Sequence, residues 1–269
     1  MKEENLSSRL ENVCRAFRIE GEYLGYEQIK IGNINSTYKV NYKKPDGEPK
    51  SFILQKVNTY VFKNPHQIMN NIDLVTTHIR GKVSDRPSLH FHHTENRDNF
   101  YIDNTDSFWR LSNYIKSRTF NLCADPDILR RAGRAFGEFQ NQLADFDASQ
   151  LYETIPDFHN TKKRLDSFFA DVKADAAGRA DSVKAEIEYI ASVKGEASRL
   201  TEMLENGDVP LRVTHNDTKI NNVLFDRETL EPLAVVDLDT VMPGLEMHDF
   251  GDAVRAAANT AEEDEKDLS

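Results

Sequence analysis

Hydrophobic positions change period along this 269-residue chain. Leu6, Leu10, Val13, Ala16 and Phe17 recur at helical spacing and predict a short amphipathic helix over 5–18. Runs at 26–34, 37–42 and 51–57 then alternate or cluster β-forming residues. Turn chemistry separates them, at Asn33-Ile34-Asn35-Ser36 and at Lys44-Pro45-Asp46-Gly47, so three antiparallel strands are expected. Asn64-Pro65 opens a helix with Ile68, Ile72, Val75 and Ile79 on one face, ending near Gly81. Strand-like runs follow at 88–93, 99–103 and 107–111, leading into Asn113-Tyr114-Ile115. From Asp125-Pro126 the pattern turns helical, with Leu129, Ala132, Phe136, Phe139 and Leu143 on one stripe, and further helices are expected over 161–174 and 181–204. Short strands are predicted at 211–214, 222–226 and 233–237. The reading is α+β: an N-terminal antiparallel β-sheet lobe with one helix over 1–115, a hinge at about 112–124, and a mainly helical lobe over 125–269.

With 39% hydrophobic residues the chain can bury a sizeable core. A formal net charge of −11 argues against an electrostatically driven nucleic-acid or membrane-surface partner, which needs a basic patch. Cys14 and Cys123 stand far apart, in neither a disulfide framework nor a metal-ligand spacing. The N-terminus lacks the apolar core of a signal peptide, and no window approaches the roughly 18 apolar residues of a membrane span. A cytoplasmic enzyme is the expectation. His90, His92 and His93 read as cross-strand or surface histidines, since no third ligand of matching spacing accompanies His90 and His92. The acidic run at 262–267 reads as a solvated helix face.

The chemistry concentrates in His215-Asn216-Asp217-Thr218-Lys219-Ile220-Asn221-Asn222, followed at the end of an apolar run by Asp237. Metal-dependent phosphoryl transfer needs a carboxylate to accept the proton of an attacking hydroxyl. It also needs an amide oxygen and a second carboxylate to hold Mg²⁺ against the triphosphate. Asp217 suits the base, and Asn222 and Asp237 suit the metal ligands. Asp239 lies two residues beyond Asp237, on the same side of an extended segment, and is a second metal ligand or a substrate contact. His215 reads as structural.

These residues resemble the motif of the aminoglycoside phosphotransferase and choline kinase-like superfamily. More closely, the chain is similar to the N-acetylhexosamine 1-kinase group. The segments behind this second likeness are Gly-Asn-Ile-Asn-Ser-Thr-Tyr (32–38), Phe-Ile-Leu-Gln-Lys-Val-Asn (52–58), Val-Phe-Lys-Asn-Pro (61–65), Phe-Trp-Arg-Leu (108–111), Pro-Asp-Phe-His-Asn-Thr (156–161) and Val-Asp-Leu-Asp-Thr-Val-Met-Pro-Gly (236–244). The resemblance implies a protein-kinase-like bilobal fold, ATP and Mg²⁺ as cofactors, and phosphorylation of an amino sugar at its anomeric hydroxyl. It places Gly32, Asn33, Asn35 and Thr37 in a phosphate-covering turn, and the backbone of Asn113, Tyr114 and Ile115 at adenine. It puts either Gln55 or Lys56 at the phosphate-contacting position of the third strand, charge favouring Lys56. No glutamate on the 65–81 helix is available to pair with that lysine. Asp249 resembles a carboxylate that braces the catalytic loop. His159, Asn160 and Arg164 are sugar contacts by the same likeness, with an N-cap at Asn160 or Thr161 as the competing explanation. Members of the group generally continue with further helices, so the chain is expected to lack part of the second lobe. Another small alcohol as acceptor (choline, homoserine or an aminoglycoside), or a non-catalytic nucleotide-binding protein, is the alternative.

Overall fold

Residues 2–30, 34–83, 86–121 and 123–259 are described by the structure, a computed structural model. Helix α1 (Lys2–Arg15) precedes three antiparallel strands, β1 (Glu22–Ile29), β2 (Ser36–Lys43) and β3 (Pro49–Lys56). After helix α2 (Pro65–Lys82), the hairpin of β4 (Tyr101–Ile102) and β5 (Phe108–Asn113) completes a five-stranded sheet of order β1-β2-β3-β5-β4. Alternation divides its side chains between two faces. One face, carrying Tyr38, Val40, Phe52, Leu54, Trp109 and Leu111, packs on Leu10, Val13 and Phe17. Asp103 pins this layer by accepting from Arg9 at 2.6 Å and from Trp109 Nε1 at 2.9 Å. On the other face the register lines up Thr37, Gln55 and Arg110 across three strands.

A second core lies below that face. Ile68, Met69, Ile72 and Val75 of α2 meet Phe139 and Leu143, at the end of α3 (Pro126–Gln142), together with Val213, Leu238 and Val241. Buried Asn71 reinforces the junction, donating to the carbonyls of Tyr152 (2.8 Å) and Val241 (2.9 Å) and accepting from the Tyr152 amide. Beyond it come α4 (Thr161–Ala174) and α5 (Lys184–Glu205), then the short strands β6 (Arg212–Thr214), β7 (Val223–Phe225), β8 (Pro232–Val235) and β9 (Met242–Gly244), and finally α6 (Glu246–Ala258). The arrangement is α+β, an antiparallel N-terminal sheet followed by a mainly helical part.

The elements depart from expectation in a few places. Residues 88–93 form no strand: Phe91 makes one isolated bridge to Ser112. The Asn113 side chain substitutes for a regular ladder there, accepting from His90 N and donating to the Ser88 carbonyl. Strand β1 begins earlier than 26, after Gly21, whose φ of +122° and contact with the Lys43 carbonyl exclude a side chain. β9 and α6 were not anticipated. β9 is only three residues long, and α6 leaves Met247, Phe250 and Val254 exposed in place of an inward apolar stripe. Among the described residues no helix is long and apolar enough to cross a membrane. The acidic run at 262–267 lies outside the described residues.

Candidate active site

Strand β6 ends at a loop whose shape is held from beneath. β6 and β9 pair closely, because Gly244 leaves no Cβ to collide with Thr214 Oγ1. At His215 the chain enters the interior. The ring is fully buried, with both nitrogens engaged: Nε2 donates to the Val236 carbonyl at 3.0 Å and Nδ1 accepts from the Asp217 amide at 3.3 Å. Phe136 and Phe139 meet the ring edge-on. His215 is therefore a brace between the loop and the strand leading to Asp237. Asn216 adopts a left-handed conformation, φ +65°, and donates to the Thr240 carbonyl at 2.9 Å.

α6 supplies the second support. Asp249, 2% exposed, accepts from the amides of His215 (2.9 Å) and Asn216 (2.8 Å) through its two oxygens, and its backbone carbonyl accepts from Thr218 Oγ1. Asp252 accepts from the Thr218 amide at 2.7 Å. Burial pushes the Asp252 carboxyl up, but bonds from Arg255 and the Thr218 amide outweigh it and hold the pKa below the usual range. The loop thus holds Asp217 at its turn.

Asp217 accepts from Asn222 Nδ2 at 3.0 Å through Oδ2 and lies 3.2 Å from Lys219 Nζ through Oδ1. Asn222 also donates to the Asp217 carbonyl at 2.8 Å, which commits its NH₂ group and leaves Oδ1 for a cation. The Asn222 carbonyl in turn accepts from the Val236 amide, bringing Asn222 beside the residue before Asp237. Asp237 is left-handed, φ +62°, at the head of a short helical turn, Leu238–Thr240. Burial pushes its carboxyl up to about 6, and the neighbouring charges of Asp239 and Asp217 add to the rise while Arg110 and His215 oppose it. Asp237 itself is open to solvent, and a carboxylate crowded by the charges of Asp239 and Asp217 favours a cation. An amide oxygen with a carboxylate is the kind of partial ligand set by which Mg²⁺ is shared with phosphates. The donor chemistry fits the metal.

Asp239 is placed differently from expectation. It is 3% exposed: Oδ1 is ion-paired with Arg110 and Oδ2 accepts from Asn35 Nδ2 at 2.7 Å. Each oxygen has a partner inside the protein and the side chain is buried, so Asp239 serves the internal network and is not open to the cleft surface. Arg110, 2% exposed, also donates from Nε to Gln55 Oε1 at 2.9 Å, and Gln55 Nε2 donates to Thr37 Oγ1 at 3.1 Å. Gln55 thus stands on the face toward the acidic residues. Lys56 pairs with Trp109 in the register, on the face turned toward α1. Asn35 Oδ1 accepts from the Asn58 amide at 2.9 Å, and Gly32 and Asn33 lie outside the described residues.

At the hinge, the Asn113 side chain is spent on residues 88–90, the Tyr114 amide donates to the Ser51 carbonyl at 3.4 Å, and Ile115 is buried. Arg118 exchanges both backbone hydrogen bonds with Phe225, tying this segment to β7. Asn160 caps α4 by accepting from the Lys163 amide at 3.0 Å, and Arg164 folds back onto the Phe158 carbonyl at 2.6 Å. The cap accounts for Asn160. The His159 ring lies 4.8 Å from that of His248, tilted by 44°, and its Nε2 is buried without a partner among the described residues. Arg110 and Lys219 are the residues that sequence reasoning missed. Lys219 was detectable from its place two residues after Asp217, whereas Arg110 sits inside a run that reads as buried strand.

A family model described as "Phosphotransferase enzyme family" matches residues 25–267. Among solved structures, the chain is similar to a microcompartment-associated aminopropanol kinase at 17% identity and a TM-score of 0.60, covering 92% of this chain and 73% of that one. It is also similar to an amicoumacin kinase solved with AMP-PNP, Ca²⁺ and Ami, at 12% identity, TM-score 0.59, and coverage of 91% and 67%. A spectinomycin phosphotransferase in complex with ADP and spectinomycin matches at 12% identity and TM-score 0.53, with coverage of 95% and 80%.

Proposed function

Because the chain belongs to the phosphotransferase enzyme family, we propose that it is an ATP- and Mg²⁺-dependent small-molecule kinase that phosphorylates the anomeric hydroxyl of an N-acetylhexosamine. One observation supports the phosphotransfer reading: Asn222 bonds Asp217 through its side-chain nitrogen, which leaves its side-chain oxygen uncommitted, while its backbone carbonyl accepts from the amide of Val236, the residue before Asp237. In this reading Asp217 is the base, accepting the hydroxyl proton at a carboxylate oxygen and orienting the alcohol oxygen for in-line attack. Asn222 and Asp237 hold the metal, which when bound offsets the negative charge of the phosphates. Lys219 supplies a positive charge at the same carboxylate as the base, where the transferring group arrives. The hinge residues 113–115 and the turn carrying Asn35 and Thr37 flank the nucleotide. We divide the chain for this purpose into a nucleotide-binding lobe, 1–115, and a catalytic lobe, 125–269.

The amino-sugar acceptor rests on the likeness of the segments quoted from 32–38 to 236–244. Within 156–161 the cap spends Asn160 and the Phe158 carbonyl spends Arg164, while His159 Nε2 is buried without a partner among the described residues, so a sugar contact there needs the His159 ring to turn outward. ADP release measured over a panel of N-acetylhexosamines, other sugars, choline, homoserine, amino alcohols and aminoglycosides tests the acceptor. Turnover confined to non-sugar alcohols overturns the amino-sugar assignment, and ATP binding without turnover on any of them favours a regulatory role. Asp217→Asn is expected to lower turnover by about 10²–10⁴-fold with ATP affinity retained. Near-normal turnover in that variant would sink the base assignment.

A further inference from the structure

Beneath the sheet, a single hydrogen-bonded chain crosses four stretches of sequence. It runs from the Asn58 amide to Asn35, from Asn35 to Asp239, and back through Arg110 to Gln55 and Thr37. Arg110 is its only charged donor. Its guanidinium is buried against Met69 Sδ of α2 and lies 5.5 Å from the Phe91 ring centre. Its carboxylate partner stands two residues from Asp237, in the turn whose Leu238 is anchored in the core below α2. The partner's other oxygen holds Asn35, in the turn between β1 and β2. Position 55, the cleft-facing end of β3, is a glutamine, and Lys56 lies on the opposite face beside Trp109.

We infer that Arg110 is a positioning residue that joins the sheet to the Asp237 loop, setting the spacing between the phosphate-covering turn and the metal ligands. This rests on the proposed reading of Asp237 as a metal ligand. A guanidinium suits the task because its planar fork serves Gln55 and Asp239 at fixed angles, which a lysine ammonium does not. A buried carboxylate two residues from a ligand acts on it as an outer-shell partner, orienting the turn without touching the ion.

The test measures ATP binding to the full chain by calorimetry, with and without Mg²⁺, for the wild type, Arg110→Lys, Lys56→Ala and the paired variant Arg110→Met with Asp239→Leu. Exchanging a buried pair for apolar groups of similar volume is often tolerated, so the paired variant keeps the measurement possible where a single truncation unfolds the protein. In both Arg110 variants the Mg²⁺ concentration giving half-maximal nucleotide binding is expected to rise by about tenfold or more, while affinity for metal-free ATP stays within about threefold. Lys56→Ala is expected to leave both within about threefold. An unchanged Mg²⁺ response in Arg110→Lys and the paired variant overturns the inference, as does an equal loss for metal-free and metal-bound ATP. If the wild type shows no Mg²⁺-dependent binding, the phosphotransferase reading itself fails. The coupling is then read from hydrogen exchange, where Arg110→Lys should speed the amides of both 34–37 and 236–241, and unchanged exchange in either segment refutes it.

Discussion

Replacing Asp249 by alanine removes the carboxylate on which two consecutive loop amides rest. The His215 and Asn216 N–H groups donate to it at 2.9 and 2.8 Å, and the carboxylate is 2% exposed. A buried donor left without its acceptor costs about 1–3 kcal/mol, so the pair should cost about 2–6 kcal/mol in Asp249→Ala. Against a total stability of about 5–15 kcal/mol, that is a large fraction. Asp249→Asn keeps the shape and one accepting oxygen but turns an NH₂ toward the second amide, so roughly half of the loss is expected. Urea unfolding followed by the fluorescence of Trp109, the single tryptophan, and in parallel by far-UV circular dichroism, reads the effect. With a slope of about 3 kcal/mol per M, the alanine midpoint should fall by roughly 1–2 M and the asparagine midpoint by less. Lys44→Ala, in an exposed hairpin pair with Asp46, is the control and should leave the midpoint unmoved. An alanine variant as stable as the wild type would refute the argument, since it would mean that water satisfies these amides and that α6 does not hold the loop.

The raised carboxyl of Asp237 predicts a pH dependence with a definite sign. Its folded pKa, about 6, lies above the unfolded value, so the folded state binds the proton more tightly. The contribution is fully stabilising below about pH 4 and is lost as pH rises through about 6. Asp237→Asn should therefore be more stable than the wild type at pH 8 without Mg²⁺ and no more stable at pH 4, while added Mg²⁺ should raise the melting temperature of the wild type alone; the reverse ordering at pH 8 contradicts the assignment. Burial pushes the Cys14 thiol up to about 12, whereas Cys123 is only half-buried. A thiol reagent at pH 8 should titrate one sulfhydryl in the native protein and two in denaturant, and fast reaction of both in the native state would contradict the burial of Cys14.

The helices were legible where local signals agreed. Asn64-Pro65 and Asp125-Pro126 mark the starts of α2 and α3 as expected, because caps and first-turn prolines act within a few residues. The acidic motif was legible for the same reason, since Asp217 and Asn222 are neighbours in sequence and bond each other in space. What escaped depends on distant partners. Arg110 reads as an interruption of a buried strand until Asp239, 129 residues later, is seen beneath it. Asp239 looked like a ligand because alternation puts it on the same side as Asp237, but the left-handed turn at Asp237 breaks the extended geometry on which that reasoning depends. Which of Gln55 and Lys56 faces the acidic residues depends on strand register, read from the pairing of Gln55 with Thr37 and Arg110 on the neighbouring strands.

Asn216 and Asp237 both bend the backbone with positive φ, one on each side of the acidic cluster. That handedness costs most residues about 1–2 kcal/mol and is most easily borne by glycine, asparagine and aspartate. The mutational alphabet at these two positions is therefore narrowed by chirality before any reaction is considered. A library selected only for correct folding would retain Asn, Asp and Gly there and discard valine and isoleucine. In such a population the two turns would look invariant even among chains that had lost all turnover, so sequence constancy at 216 and 237 measures geometry and chemistry together and cannot be credited to either alone.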